Sequence, residues 1–165
     1  MKSKKIFWKY LNSGINKIPG WFSRCDAQIF GILLSLQVDN KIQGSVVEIG
    51  IFHGKSFIPL ALSNEGDKCY GIDIFDKQEL NIDHSGVQDS QNLSSIEKNI
   101  KENFFSNLQR YSIDKNRIVL NTKLSSDIKP NDIIESVGPA RFFHIDGGHN
   151  FAAVKHDLAL ANEVI

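Results

Sequence analysis

The sequence predicts an α/β fold with a Rossmann-like, open and mainly parallel sheet that carries helices on both faces. Short apolar runs and segments with helical spacing alternate four times along the chain. The apolar runs lack polar alternation, as expected of strands that are buried on both faces. With 165 residues, 41% of them hydrophobic and 23% charged, the chain also has the profile of a globular domain.

Composition excludes several partner classes. The 19 basic and 19 acidic residues cancel, so no nucleic-acid partner is predicted. Apolar runs of transmembrane length and a signal-peptide core are both missing, so we expect a cytoplasmic protein without stable membrane association. Cys25 and Cys69 show no metal-ligand spacing, and Cys69, at the start of an apolar strand, is predicted to be a buried thiol.

The chain divides into a helical N-terminal segment, residues 1–40, and a ligand-binding domain, residues 41–165. Basic residues near the N-terminus predict an ordinary helix with a solvated basic face, and the alternative is an amphipathic helix that binds a membrane surface. The next predicted helix spans Asp26–Val38, and an apolar stripe defines it. Its stripe consists of Ile29, Phe30, Leu33, Leu34 and Leu36.

Four strand–helix units follow. The predicted strands are Val46–Ile49, Cys69–Ile74, Arg117–Leu120 and Arg141–Ile145. The predicted helices run from about Lys55 to Ser63, from a capping box at Ser94–Glu97 to Tyr111, from Asp127 to Val137, and from Asn150 along the stripe Val154, Leu158, Ala161 and Ile165. Ligands of such sheets bind outside the carboxyl ends of the strands.

The first such end carries the sequence Glu48-Ile-Gly50-Ile-Phe-His-Gly54-Lys-Ser. A phosphate-binding loop needs four residues between its glycines, but here there are three, and Glu48 would repel phosphates. A dinucleotide fingerprint needs a middle glycine where this chain has Phe52. The spacing therefore disfavours both ATP or GTP hydrolysis and NAD binding.

An acid followed by two spaced glycines resembles the first motif of class I S-adenosylmethionine-dependent methyltransferases. The resemblance implies that Glu48, Gly50 and Gly54 line the cationic methionyl end of the cofactor, and His53 and Ser56 from the same turn join the predicted cofactor-binding residues. The alternative is a helix-packing turn in which Glu48 pairs with a surface lysine.

Two further strand ends add cofactor-binding candidates. Asp73 ends the second strand, where a carboxylate can accept hydrogen bonds from ribose hydroxyls and where the family has its ribose-binding acid. Asp73 or Asp76 could instead cap the next turn. After the third strand, Asp127 is the candidate for adenine contact, although Ser126 and Asp127 also have the character of helix N-caps.

The fourth strand end is Ile145-Asp-Gly-Gly-His-Asn-Phe151, followed by Val154 and then His-Asp157-Leu. This combination resembles the macrocin O-methyltransferase-like branch of the same family, which methylates small hydroxylated molecules. The resemblance extends from about Gly44 to the C-terminus. It implies a small-molecule acceptor and predicts that Asp146 and His149 are the catalytic residues.

Methyl transfer to a hydroxyl needs close alignment of the reactants and removal of a proton. Histidine is a common general base, so His149 is the candidate for this role, and Asp146 could orient it or bind Mg²⁺. His144, Asp146 and His149 could alternatively form a transition-metal site, but His144 on a buried strand is better explained as a packed core residue.

Two features leave the activity open. Residues 76–93 form a long polar loop, interpreted either as a lid or as an insertion without a role. Methyltransferases of this class continue with three more strands, so we expect a truncated chain whose fourth strand offers an open edge for oligomer formation. The alternative function is a non-catalytic nucleotide-binding or interaction module.

Overall fold

The computed structural model describes residues 2–80 and 99–165. Six α-helices and four strands alternate in these ranges. The helices are α1 (Lys2–Lys9), α2 (Arg24–Asp39), α3 (Phe57–Ser63), α4 (Ile100–Arg110), α5 (Pro130–Val137) and α6 (Phe151–Val164). The strands are β1 (Ser45–Ile49), β2 (Cys69–Ile72), β3 (Ile118–Asn121) and β4 (Ala140–Ile145).

The strands form one parallel sheet in the order β3-β2-β1-β4. Val46 on one face of β1 belongs to a core built with the N-terminal helices, α3 and α4. Val47 and Ile49 on the other face belong to a core built with α5 and α6. This arrangement confirms the predicted Rossmann-like α/β fold.

The N-terminal segment packs directly onto the turn that follows β1. After α1, a π-helical turn and a 3₁₀ turn bury four apolar side chains in the core shared with α3 and α4. These side chains are Tyr10, Leu11, Ile15 and Ile18. The Tyr10 hydroxyl donates to the Lys55 carbonyl at 2.5 Å, and Lys55 Nζ donates to the Gly20 carbonyl at 2.7 Å.

Several element boundaries differ from the sequence predictions. Strand β2 ends at Ile72 rather than Ile74, and α3 begins at Phe57 rather than Lys55. Ser126 and Asp127 do not cap α5, which begins at Pro130 behind Lys129. Residues 125–127 form a separate 3₁₀ turn, because Pro130 fits the first position of a helix but not its interior.

Helix α4 receives its cap from an unexpected place. The predicted capping box at Ser94–Glu97 lies outside the described residues. Asn99, which precedes the helix, has left-handed backbone torsions and makes no side-chain cap. Instead, Asp76 Oδ1 accepts from the Ile100 amide at 2.7 Å. A carboxylate that follows β2 therefore holds the N-terminus of α4.

The core-facing sides of two helices were predicted only in part, although both helices exist. In α2, the predicted stripe residues Ile29, Leu33 and Leu36 are exposed, whereas Leu34 of the same stripe is buried, as is Ala27. In α6, three members of the predicted stripe are likewise exposed. These are Val154, Leu158 and Ile165. Each helix carries more apolar residues than one buried face needs, so spacing alone could not select the face that meets the sheet. The stripe predicted for α4 consists of Ile96, Ile100, Phe104, Leu108 and Tyr111. Ile96 lies outside the described residues, and the other four side chains are buried, as predicted.

Among residues 2–80 and 99–165, no helix is both long enough and apolar enough to cross a lipid bilayer.

Candidate functional site

The sheet brings the predicted site residues to one edge. In the parallel register, Ile49 at the end of β1 lies beside Ile72 of β2 on one side and Ile145 of β4 on the other. The segments after these three residues carry the glycine turn, Asp73 and Asp146. Residues separated by almost a hundred positions in sequence therefore meet at the carboxyl edge, where ligands of such sheets bind.

Glu48 is fully buried and pairs with His144. The two residues are register partners on neighbouring strands, and Glu48 Oε1 lies 2.6 Å from His144 Nδ1. Burial raises the pKa of Glu48, while His144 and the Ser56 hydroxyl favour its ionised form. Glu48 Oε2 makes no hydrogen bond of normal geometry within the described chain. The alternative of a pair between Glu48 and a surface lysine is wrong.

The fold itself requires glycine at two positions of the first turn. Gly50 has a φ of +82°, and a Cβ added there would lie 1.9 Å from the Asp146 carbonyl oxygen. Gly54 has a φ of +86°, and its added Cβ would lie 2.8 Å from the Phe104 ring. Both positions therefore need glycine for packing within the protein, whether or not a ligand also approaches them.

Asp73 braces this turn through backbone amides. Its Oδ2 accepts from the amides of Ile51 at 2.6 Å and Phe52 at 2.8 Å, and its Oδ1 accepts from the Phe75 amide. Phe52 has a left-handed φ of +51°, which these bonds help to hold. Burial raises the pKa of Asp73, and the three amides counteract that rise. Asp73 therefore combines the turn-capping role with its place at the predicted ribose position.

His53 and Ser56 lie in the same turn but inside the protein. His53 is 2% exposed, and its ring packs edge-on against Phe52 with centroids 4.3 Å apart. The His53 carbonyl accepts from Asn107 Nδ2 at 3.0 Å. Ser56 is 5% exposed and lies next to the Glu48 carboxylate. Both side chains therefore lie beneath the turn, inside the protein, and not on its solvent-exposed surface.

Asp146 and His149 lie together and open to solvent after β4. His149 Nε2 is 3.7 Å from Asp146 Oδ1, and their side chains are 64% and 46% exposed, respectively. Partial burial raises the pKa of Asp146, and the imidazoles of His144 and His149 oppose that rise. In this arrangement the imidazole can remove a proton from a nearby group, and the carboxylate can stabilise the imidazolium that results.

Few side chains near Asp146 and His149 could bind a metal ion. Within residues 2–80 and 99–165, no three His, Cys, Asp or Glu side chains come together in a geometry that could hold a metal ion. Asp146 with His149 offers one carboxylate and one imidazole, whereas Mg²⁺ prefers six oxygen ligands. Asp146 is thus the one carboxylate of this pair that could bind Mg²⁺, and Mg²⁺ binding by Asp146 stays a prediction.

The corner after β3 contains a buried carboxylate that the sequence did not mark as a site. Asp127 itself is exposed in its 3₁₀ turn. Asp157 of α6 is fully buried, and neither of its oxygens makes a hydrogen bond of normal geometry within the described chain. Burial raises the pKa of Asp157, and the nearby Ser125 hydroxyl lowers it. A Cβ at Gly147 would lie 3.4 Å from Asp157 Oδ2.

Sequence reasoning missed the role of His144. The residue was interpreted as packed core, but its ring is hydrogen-bonded to Glu48 and also contacts Phe22 and Phe30. A polar residue at the same strand position as an acid on a neighbouring strand is a signal for such a pair. Using it requires the strand order and register, which the sequence did not provide.

Comparison with known proteins assigns the class. A family model described as a methyltransferase domain matches residues 47–165. The chain therefore belongs to this methyltransferase family, and its activity class is methyl transfer. In a comparison with curated proteins, none matched the chain. The matched range begins inside β1 and includes every strand end described above.

Proposed function

We propose that this protein transfers a methyl group from S-adenosylmethionine to a small hydroxylated acceptor. The observation that carries the proposal is the buried Glu48 carboxylate beside the glycine turn, with one oxygen bound to His144 and the other without a normal hydrogen bond. Buried carboxylates need a partner, and an ammonium group next to a sulfonium is a suitable one.

Different residues of the carboxyl edge would bind different parts of the cofactor. Glu48 would face the methionyl ammonium, with the turn from Gly50 to Gly54 beside it. Asp73 already accepts from three amides, and a carboxylate has about four acceptor positions, so Oδ1 retains capacity for one ribose hydroxyl. Asp127 would contact the adenine from its exposed turn. When bound, S-adenosylmethionine supplies an electrophilic methyl group.

Asp146 and His149 would carry the acceptor chemistry. The acceptor oxygen forms a bond to the methyl carbon while the sulfur–carbon bond breaks, leaving S-adenosylhomocysteine. His149 takes the hydroxyl proton, and Asp146 at 3.7 Å stabilises the resulting imidazolium. Both side chains are exposed, so an acceptor can reach them, and correct placement of the two reactants contributes much of the rate.

Calorimetric titration with S-adenosylhomocysteine, NAD and ATP tests the cofactor assignment. We expect binding of S-adenosylhomocysteine and at least about tenfold weaker binding in Glu48→Gln, because a charge-assisted hydrogen bond is lost. Glu135→Gln, the same exchange at an exposed position of α5, serves as the matched control and should bind as the unmodified chain does. Binding of NAD or ATP without a response to S-adenosylhomocysteine would refute the proposal.

Turnover separates an enzyme from a non-catalytic binding module. S-adenosylhomocysteine release should be measured with a panel of phenols, catechols and sugars. His149→Asn should reduce turnover by about a hundredfold and leave S-adenosylhomocysteine affinity unchanged, because His149 serves the acceptor and not the cofactor. Cofactor binding with no turnover on any acceptor would favour the non-catalytic module.

A further inference from the structure

One polar pair at the carboxyl edge has a geometry that the cofactor assignment alone does not explain. His144 Nδ1 and Glu48 Oε1 are 2.6 Å apart, a separation as short as that of the strong, charge-assisted hydrogen bonds. When Glu48 is ionised its oxygens can only accept, and Nδ1 then carries the proton in this bond. His144 therefore fixes one of the two Glu48 oxygens.

The His144 ring is itself held from the side of α2. Its centroid lies 4.9 Å from the Phe30 ring and 6.1 Å from the Phe22 ring, in edge-on arrangements. Phe30 also packs on Phe142 of β4 at 5.1 Å. The aromatic contacts restrict rotation of the imidazole, so the direction of its Nδ1–H is set by packing.

The charged groups around His144 come from three elements. Glu48 lies on β1, Asp146 at the end of β4 and Asp26 in the first turn of α2, and all three favour the protonated imidazole. Asp26 is bound to Ser23 in the α2 capping box, and Asp146 lies near His149. Glu48 is thus the only one of the three that makes a direct hydrogen bond to His144 among the described residues.

We propose that His144 is a positioning residue for the methyl donor: by binding Glu48 Oε1, it orients the carboxylate so that Oε2 accepts from the methionyl ammonium group. This inference rests on the proposed function and adds a second residue to the methionyl site. His144 does not touch the donor. It acts through Glu48, so its contribution depends on the amino-acid end of the ligand.

Two ligands that share adenosine separate this role from a general structural one. S-adenosylhomocysteine carries the amino-acid end, whereas 5′-methylthioadenosine lacks it. We expect His144→Phe, which keeps a ring but removes the donor, to weaken S-adenosylhomocysteine binding about tenfold and to leave 5′-methylthioadenosine binding unchanged. Phe143→Leu, on the opposite face of the same strand and away from His144, is the control and should not change the ratio of the two affinities.

A second pair of variants makes the test independent of how well His144→Phe folds. Asparagine places an amide nitrogen near the Nδ1 position, whereas glutamine places it further out. His144→Asn should therefore bind S-adenosylhomocysteine several times more tightly than His144→Gln. In a Glu48→Gln background, His144→Phe should have no further effect on the affinity ratio.

The outcomes distinguish the two proposals. If His144→Phe weakens both ligands equally, or if the asparagine and glutamine variants do not differ, the positioning role is refuted while the proposed function stands. If the unmodified chain binds neither ligand, the proposed function fails and the positioning role fails with it.

Discussion

The two edges of the sheet bury polar groups in different ways. At the edge where the strands begin, called the amino edge here, Arg141 of β4 is 7% exposed and Asn64 is fully buried. The polar groups of these two side chains are hydrogen-bonded within the protein. Arg141 donates to Asn64 Oδ1 at 2.7 and 3.2 Å, to Gln37 Oε1 at 2.9 Å and to the Leu34 carbonyl at 3.3 Å. Gln37 Nε2 returns a bond to the Arg141 carbonyl at 2.7 Å.

At the carboxyl edge, by contrast, Glu48 Oε2 and both oxygens of Asp157 make no hydrogen bond of normal geometry within the described chain. Arg141 and Asn64 are buried to a similar degree as Glu48 and Asp157, so burial alone does not distinguish the two sets of polar groups. A polar cluster whose hydrogen bonds are complete fixes the packing of α2, α3 and β4, whereas the buried carboxylates at the carboxyl edge retain unused acceptor capacity. The contrast agrees with the proposal that ligands bind at the carboxyl edge, and it assigns a stabilising role to the polar cluster at the amino edge.

The largest effect is expected where the carboxyl edge is most tightly packed. In Gly50→Ala the new Cβ would lie 1.9 Å from the Asp146 carbonyl oxygen at a φ of +82°. We expect a loss of about 4 kcal/mol or more in the free energy of unfolding, measured by urea denaturation, because steric clash adds to backbone strain.

Gly66→Ala is the matched control for Gly50→Ala. Gly66 has a similar φ of +92°, but an added Cβ would meet nothing within 4 Å. Only the backbone strain should appear, about 1–2 kcal/mol. Equal losses at the two glycines would show that the contact with Asp146 is not what makes glycine necessary at position 50.

Breaking the amino-edge cluster should cost stability without affecting the ligand. Asn64→Ala removes the acceptor of two Arg141 bonds and leaves a buried cation incompletely matched. We expect a loss of about 3 kcal/mol in urea denaturation, with unchanged S-adenosylhomocysteine affinity in the folded fraction. Asn116→Ala at an exposed position should change stability by less than about 0.5 kcal/mol. A large loss of affinity in Asn64→Ala would contradict the division between the edges.

At the carboxyl edge, removing a buried charge should stabilise the protein. Burial raises the pKa of Asp157 above its ordinary value, so at neutral pH the ionised carboxylate destabilises the folded state. Asp157→Asn should add about 2 kcal/mol to the free energy of unfolding at pH 7. As the pH falls, the unmodified protein gains this stability itself, and the difference should vanish below the ordinary pKa of an aspartate.

The control for this exchange is Asp39→Asn, at an exposed position at the end of α2, which should change stability at pH 7 by less than about 0.5 kcal/mol. Thermal unfolding of both variants and the unmodified chain at pH 7 and pH 3.5 measures the difference. A destabilising effect of Asp157→Asn at pH 7 would mean that Asp157 is fully compensated, as Arg141 is.

The smallest effect on stability is expected at an acid of the carboxyl edge that already has hydrogen-bond donors within the protein. Asp76 accepts from the Ile100 amide at 2.7 Å and the Lys101 amide at 3.4 Å, which leaves it a capping role. Asp76→Ala should lower stability by about 1 kcal/mol, and Asp76→Asn should restore part of the loss. Urea denaturation of the three proteins tests this, and no loss in Asp76→Ala would show that α4 does not depend on this cap.

Local features of the chain were predictable from the sequence. The strand runs, the helix of α4 with its stripe Ile100, Phe104 and Leu108, and the buried thiol of Cys69 all follow from spacing and composition, and the structure confirms them. The core-facing sides of α2 and α6 were not predictable, since both helices are apolar on more than one side and only contact with the sheet selects the buried one.

The sequence by itself determined the α/β fold, the glycine turn after Val46–Ile49 and the acids at the strand ends, because these depend on residues close together in the chain. Only the tertiary structure decided what the acids contact. Glu48 meets His144 across 96 positions because β4 pairs beside β1 in parallel register. Asp73 reaches the turn amides 21 and 22 positions away because β2 pairs on the other side of β1. Such partners are set by strand order, which no local pattern specifies.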